Sequence, residues 1–223
     1  MNLEKLYKLQ EKLDNHILEN EKKRTGKEID KDLLLDQTIL ALLVEVGELA
    51  NETRCFKHWS TKGPNDRQAI RCETCDGTGD SNYHMIMEAA ESNMKHLYIE
   101  CEECEGTGII GYENPILEEL ADVWHFYLSI GNQIGEKIEL PNIGFETEYK
   151  CNKAKINTFL QLYIYISRLA ETSLDCIYRD DAYINIGYWL IMLRSALGFT
   201  DKEIEQAYLK KHEENYKRQR EGY

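Results

Sequence analysis

Proline is scarce, with three residues in a chain of 223, and glycine numbers only 14. So little turn-forming material excludes a fold of many short strands and tight hairpins and leaves room for long helices. Positive charge is also short: 27 Lys and Arg stand against 40 Asp and Glu, a formal net charge of −13. That sign excludes a protein that binds nucleic acid by neutralising phosphates with basic side chains alone. No apolar run approaches the roughly 20 residues that a membrane helix needs. The opening Met1-Asn2-Leu3-Glu4-Lys5 has no secretory hydrophobic region. The expectation is a cytoplasmic protein with no membrane contact and no direct nucleic-acid partner. What is present, 42% hydrophobic and 30% charged residues, is the balance of a folded chain. The length suits one domain carrying an insertion.

Leu3, Leu6, Leu9, Leu13, Ile17 and Leu18 recur at helical spacing over 3–20, and a polar stretch from Glu21 to Lys31 interrupts the pattern. Residues 33–56 read as a second helix, almost wholly apolar from Ile39 to Val46 and therefore expected to be buried. Asn114 before Pro115 makes an N-cap and first-turn pair for a third helix that runs to about Gly131 or Gly135. Residues 153–174 and 182–197 are two more apolar-rich helical stretches, the latter stopped by Gly198. Thr200 with Glu203 forms a capping box for a last helix ending near Gly222. The predicted fold class is all-α, a helical bundle. Apolar positions Ile184, Tyr188, Leu190, Ile191 and Leu193 suit either a homodimer contact or an internal core.

Residues 61–112 break the pattern. They hold two copies of one motif, Cys72-Glu-Thr-Cys75-Asp-Gly77-Thr-Gly79 and Cys101-Glu-Glu-Cys104-Glu-Gly106-Thr-Gly108. Each Cys-x-x-Cys sets two thiolates at the bite of a tetrahedral metal, and the glycines let backbone amides turn toward the sulfurs. Two such knuckles make a four-cysteine, structural Zn²⁺ site of Cys72, Cys75, Cys101 and Cys104. Disulfides are disfavoured in the cytosol, and a redox pair needs a single motif in another context. His84 and His96 lie between the knuckles and are read as surface or packing histidines; Cys55, Cys151 and Cys176 are read as buried free thiols. The repeats resemble the zinc modules of J-domain chaperones over these short units. The domain organisation expected is therefore 1–60 with 113–223 as the helical domain and 61–112 as an inserted zinc-binding module.

A second constellation lies on the second and third helices. Glu45 and Glu48 share one face of the otherwise apolar Leu42-Leu43-Val44-Glu45-Val46-Gly47-Glu48-Leu49-Ala50. Glu119 and Asp122 repeat the spacing in Leu117-Glu118-Glu119-Leu120-Ala121-Asp122-Val123-Trp124. Carboxylates beside Leu and Val are expensive to bury unless cations compensate them. Two facing helices with such pairs form an oxygen cage suited to Mg²⁺. Gly47 weakens its helix but permits close approach by a helix or ligand. In the last helix Lys211, Asn215 and Arg218 fall on one stripe, two cations and an amide that suit phosphate oxygens.

Taken together, Glu45-x-x-Glu48, Glu119-x-x-Asp122 and Lys211-x-x-x-Asn215-x-x-Arg218 resemble the all-α nucleoside triphosphate pyrophosphatases, which include the MazG-like enzymes and the dimeric dUTPases. The strings Val44 to Ser60, Asp122 to Gly131 and Asn215 to Tyr223 are most similar to the dimeric dUTPase branch. The resemblance implies a homodimeric dUTP diphosphatase that turns dUTP, and dUDP, into dUMP with release of pyrophosphate or phosphate. It implies two or more Mg²⁺ ions on Glu45, Glu48, Glu119 and Asp122. Catalysis falls to Glu48, which orients or deprotonates the attacking water, and Glu45. Lys211, Asn215 and Arg218 would hold the phosphate chain. The base would lie against Gln10 and Asn15 of the first helix and His58 and Trp59 after the second. The alternatives are the same chemistry on dCTP or another nucleotide, or a non-enzymatic interaction protein stabilised by zinc.

Overall fold

The computed structural model describes residues 1–84, 96–139, 151–171 and 176–221. The chain divides into two compact units, Met1–Pro64 with Ile116–Tyr223, and Asn65–Pro115. Among the described residues there are six helices: α1 (Leu3–Thr25), α2 (Lys31–Thr53), α3 (Pro115–Ile134), α4 (Asn152–Leu169), α5 (Cys176–Leu197) and α6 (Asp201–Glu221). Two short strands, β1 (Gln68–Arg71) and β2 (Ile109–Glu113), belong to the second unit.

The helices begin and end for local reasons. Asp30 caps α2 by accepting the N–H groups of Asp32 and Leu33 at 3.1 and 3.0 Å. The predicted capping box opens α6: Glu203 N–H donates to Thr200 Oγ1, and Glu203 accepts the Thr200 N–H at 2.8 Å. In α1 the structure departs from the expected break at Glu21. Arg24 grips Glu21 through two hydrogen bonds of 2.9 and 2.7 Å, and the helix continues until Gly26 turns left-handed at φ 72°. Charged residues with good helix propensity extend a helix that its apolar stripe has already left. Helix α5 starts at Cys176 rather than 182, across exposed Ile177 and Tyr178. The predicted continuation of α4 to 174 is corrected, because the helix ends at Leu169 with Ala170 as its C-cap; the predicted end at Gly222 falls outside the described residues.

The core of the first unit is built from one stripe of each helix, with Leu6, Leu42, Val46, Leu120, Trp124, Leu162, Ile186, Leu190 and Ile204 fully enclosed. Ile191 and Leu193 are also internal, whereas Ile184 and Tyr188 face out. The expectation that 39–46 is wholly buried is corrected: Leu40 is 62% and Val44 50% exposed. A helix packed on one side cannot cover its opposite face, however apolar that face is. Cys55 is buried as expected, Cys151 is exposed at the start of α4, and the Cys176 side chain lies outside the described residues.

Three phenols lock α1, α3 and α5 together. The Tyr127 and Tyr183 rings stack with centroids 4.5 Å apart. The Tyr183 hydroxyl donates to the Tyr127 carbonyl at 3.2 Å and lies 2.7 Å from the Tyr7 hydroxyl. The stack fits because two helix positions carry no side chain. A Cβ on Gly131 would come within 2.1 Å of Tyr183 Oη, and one on Gly187 within 2.3 Å of Tyr127 Oη.

In the second unit β1 and β2 pair antiparallel, Gln68 opposite Glu113, with a shift in register between Ile70 and Arg71. This ribbon was not anticipated from the sequence. It is the base of the two cysteine knuckles, which are related to one another by reciprocal bonds: Cys72 N–H to the Gly108 carbonyl, and Cys101 N–H to the Gly79 carbonyl, both 2.9 Å.

Gly131→Ala and Gly187→Ala are each expected to destabilise the protein by about 1–3 kcal/mol through overpacking. Gly63→Ala, with open space around the added carbon, should leave stability unchanged. Urea unfolding of the three variants checks this.

Candidate functional site

Glu45 and Glu48 stand one turn apart on α2, and Glu119 and Asp122 one turn apart on α3. Gly47, between the first pair, sits against α4: a Cβ there would lie 3.0 Å from Tyr163 Oη. The close approach that this glycine allows is therefore one of helix to helix. One carboxylate oxygen from each of Glu45, Glu48 and Glu119 lies within 4.8 Å of the other two. Asp122 is not part of this triplet. Its Oδ2 receives Lys211 Nζ at 2.8 Å, and the same ammonium reaches Glu118 Oε1 at 3.1 Å.

The electrostatics follow from this crowding. Burial, then the charges of Asp122, Glu48 and Glu119, push Glu45 up to about 7. Burial, with Asp122 and Glu48, takes Glu119 to about 7 as well. Burial also raises Asp122 against the opposing pull of Lys211. Burial disfavours the charged Lys211, yet its bonds to Asp122 and Glu118 outweigh that and hold its pKa above the ordinary lysine value. Like charges at this separation ask for a cation. Octahedral oxygens at about 2.0–2.1 Å from Mg²⁺ stand roughly 2.9 Å apart when adjacent and about 4.2 Å when opposite. The triplet is thus within small side-chain movements of enclosing a divalent ion.

These residues line a cleft of about 670 Å³, a volume suited to a small-molecule ligand. The same cleft takes in Lys211, Asn215 and Arg218 from α6 and Gln10 and Asn15 from α1. Predicted metal, phosphate and base residues from four helices are therefore brought together. His58 and Trp59 are not: both are exposed, pack edge to face at 4.9 Å, and do not line the cleft. Arg218 pairs with Glu214 at 2.6 Å at the cleft's edge.

Gln10 is buried in a network that sequence reading missed. Its amide contacts Tyr208 Oη, His125 Nδ1 and Asp14 Oδ1, each at 2.7 Å. His125 Nε2 lies 3.2 Å from the Tyr208 carbonyl. Burial lowers the pKa of His125 to about 3, so its ring is neutral and has one N–H to give. The Gln10 carbonyl oxygen accepts from the Tyr208 hydroxyl and lies against His125 Nδ1. The Gln10 NH₂ donates to Asp14 Oδ1, which opposes the upward push of burial on that carboxyl. Asp14 and Ser129 line the cleft beside this network. The available signal was Asp14 falling four residues after Gln10, on the same face of α1.

The second unit offers a separate cluster. Cys72, Cys75, Cys101 and Cys104 are buried together. Cys72 Sγ and Cys101 Sγ are 3.8 Å apart, and Cys75 Sγ and Cys104 Sγ 3.7 Å. A Zn–S bond of about 2.3 Å in a tetrahedron gives an edge of about 3.8 Å, whereas a disulfide brings sulfurs to about 2.05 Å. The N–H groups of Gly79 and Gly108 each donate to a sulfur, of Cys75 and Cys104, at 3.2 Å. Burial disfavours the thiolate, but the Gly79 N–H and the neighbouring thiols bring Cys75 down to about 7. His96 is paired with Asp80, and His84 is exposed, so neither joins the sulfurs. The donor set fits a four-thiolate metal ion.

A helical unit whose cleft joins clustered carboxylates to a lysine–asparagine–arginine stripe defines an all-α, metal-dependent nucleoside triphosphate pyrophosphatase. A family model described as dUTPase matches residues 2–103 and 111–223, and the chain belongs to that family. It is accordingly a dUTP pyrophosphohydrolase. The match crosses most of 61–112, farther than the motifs that suggested it. No curated protein and no solved structure matches the chain.

The folded chain holds protons on Glu45 and Glu119 more tightly than the unfolded chain does, whose ordinary value is 4.5. Their contribution to stability is complete below that value and is lost as pH rises through about 7. Freed of divalent ions, the protein should show a Tm that falls from about pH 5.5 to about pH 8. A divalent cation should raise the Tm more at the higher pH, and Glu45→Gln should shrink both changes. Thermal denaturation with and without chelator or Mg²⁺ tests this.

Proposed function

We propose that the cleft of the first unit hydrolyses dUTP to dUMP and pyrophosphate with Mg²⁺ held by Glu45, Glu48, Glu119 and Asp122. The observation that carries the reading is the convergence of Glu45, Glu48 and Glu119 in one cleft with Lys211, Asn215 and Arg218. Bound Mg²⁺ would neutralise the phosphates and lower the pKa of a coordinated water. Glu48, the exposed member of the triplet, orients or deprotonates the attacking water, with Glu45 beside it. Attack at the α-phosphorus releases pyrophosphate from dUTP, and phosphate from dUDP. Lys211 and Asn215 hold the phosphate chain, and Arg218 offsets charge on the leaving group. The base lies toward Gln10, Asp14 and Asn15, where the Gln10 amide is committed to its network and Asp14 offers the polar edge.

Two further assignments belong to this reading. Cys72, Cys75, Cys101 and Cys104 hold a structural Zn²⁺; four thiolates leave no open position for catalysis. Reduced thiols at such a site suit a reducing compartment, the cytoplasm; among the described residues no helix is long and apolar enough to cross a membrane. The working form is a homodimer. Support comes from apolar side chains left uncovered in one chain: Leu40 and Val44 on α2, Leu160 and Ile164 on α4, Ile184 and Tyr188 on α5.

Incubation with Mg²⁺ should convert dUTP to dUMP and pyrophosphate, with kcat/KM for dUTP well above that for dCTP, dTTP or dATP. Equal turnover of all four would overturn the assignment of substrate. Glu48→Gln is expected to lower kcat by about 10²-fold or more while leaving the Tm near that of the parent. Cys75→Ser should instead abolish stoichiometric zinc and expose residues 65–115 to protease, read by metal analysis and limited proteolysis.

A further inference from the structure

The charges of the cleft are not shared evenly. Glu45, Glu48 and Glu119 turn their oxygens toward one another, while Asp122, one turn from Glu119, turns Oδ2 to Lys211 Nζ at 2.8 Å. The ammonium is also held by Glu118 Oε1 at 3.1 Å, and the lysine side chain is 12% exposed. Lys211 is thus a largely buried monovalent cation lodged against two carboxylates of α3. Its flexible four-carbon stem can carry the charge elsewhere in the cleft.

Resting on the reading of the cleft as a dUTP pyrophosphatase, we propose that Lys211 is an internal counter-ion that occupies Asp122 until a triphosphate draws the ammonium away. The protein then takes up its ions in order, one at Glu45, Glu48 and Glu119 before nucleotide and a further one, at Asp122, with it. An ammonium hydrogen-bonded to a carboxylate repels a divalent ion approaching the same oxygens. Without the ammonium, Asp122 would add a fourth uncompensated charge beside Glu45 and Glu119, so Lys211 lowers the cost of assembling the site before metal arrives. A triphosphate carries more negative charge than Asp122 and Glu118 together and is the stronger partner for the ammonium. Asp122, released, faces the metal that the phosphates bring. By linkage, nucleotide and the second ion each raise the affinity for the other.

The test counts Mn²⁺ by electron paramagnetic resonance on the full chain, a signal blind to zinc. Titrations are run with and without the dUTP analogue carrying an imido group between its α- and β-phosphates. Wild type should bind one Mn²⁺ per chain alone and at least one more with the analogue. Lys211→Met should bind the second ion without nucleotide, at least about tenfold more tightly than wild type does. Lys211→Arg, which keeps the cation, should retain the wild-type count. If the lysine only ties α6 to α3, Lys211→Met will lose Tm but keep the wild-type count, and that result overturns the proposal. So does a wild type that binds all its ions without nucleotide, a comparison that needs no variant. Failure to bind any Mn²⁺ under either condition overturns the metal reading of the cleft as well.

Discussion

Repulsion among carboxylates on α2 and α3 is the constraint around which the first unit is organised. Three of them meet within 4.8 Å, and a fourth is compensated by one lysine. Such an arrangement opposes folding of the metal-free chain, so it needs a rigid frame and a cation to justify it. The frame is the apolar side of the same helices: Val46 and Leu49 on α2 and Leu120, Val123 and Trp124 on α3 are fully enclosed. Each carboxylate is thus fixed by neighbours that cannot move without opening the core. The binding of metal and phosphate then relieves a strain that packing has imposed.

That frame is held in register by polar groups as much as by apolar ones. Tyr7, Tyr127 and Tyr183 join α1, α3 and α5 through stacked rings and shared hydroxyls, and Gly131 and Gly187 make room for them. Gln10, His125 and Tyr208 do the same for α1, α3 and α6. In this second network the Tyr208 hydroxyl donates to the Gln10 carbonyl and the Gln10 NH₂ donates to Asp14. Buried networks of this kind favour one arrangement of helices over others that a purely apolar core would tolerate.

The second unit solves a different problem. Among its described residues, a two-stranded ribbon and four cysteines with Tyr83 beside them form the buried cluster, a small apolar interior for a unit of about fifty residues. Its order comes from two near-identical knuckles. Gly79 packs so closely on Gly106 that a Cβ would come within 2.1 Å of the Gly106 carbonyl, and Gly108 likewise within 2.3 Å of that of Gly77. The glycines leave the sulfurs at the spacing a tetrahedral ion needs.

Much of this was legible in the residues themselves. Helical periodicity with few prolines dictates an all-α unit, because each helix reports its buried stripe locally. The i, i+3 carboxylates, the Lys211–Asn215–Arg218 stripe and the doubled Cys-x-x-Cys all place chemistry by short-range spacing, and each is found on the element expected. What spacing does not contain is the partner across the fold. Only packing of α6 against α3 sets Lys211 on Asp122, separating that carboxylate from the other three. Only the burial of His125 and Tyr208 against α1 turns Gln10 inward and brings Asp14 to the cleft. Only the uncovered outer face of α2 shows that Leu40 and Val44 are not core. The sequence determined which side chains share a helix face; the tertiary structure decided which faces meet, because long-range burial and charge compensation depend on neighbours distant in the chain.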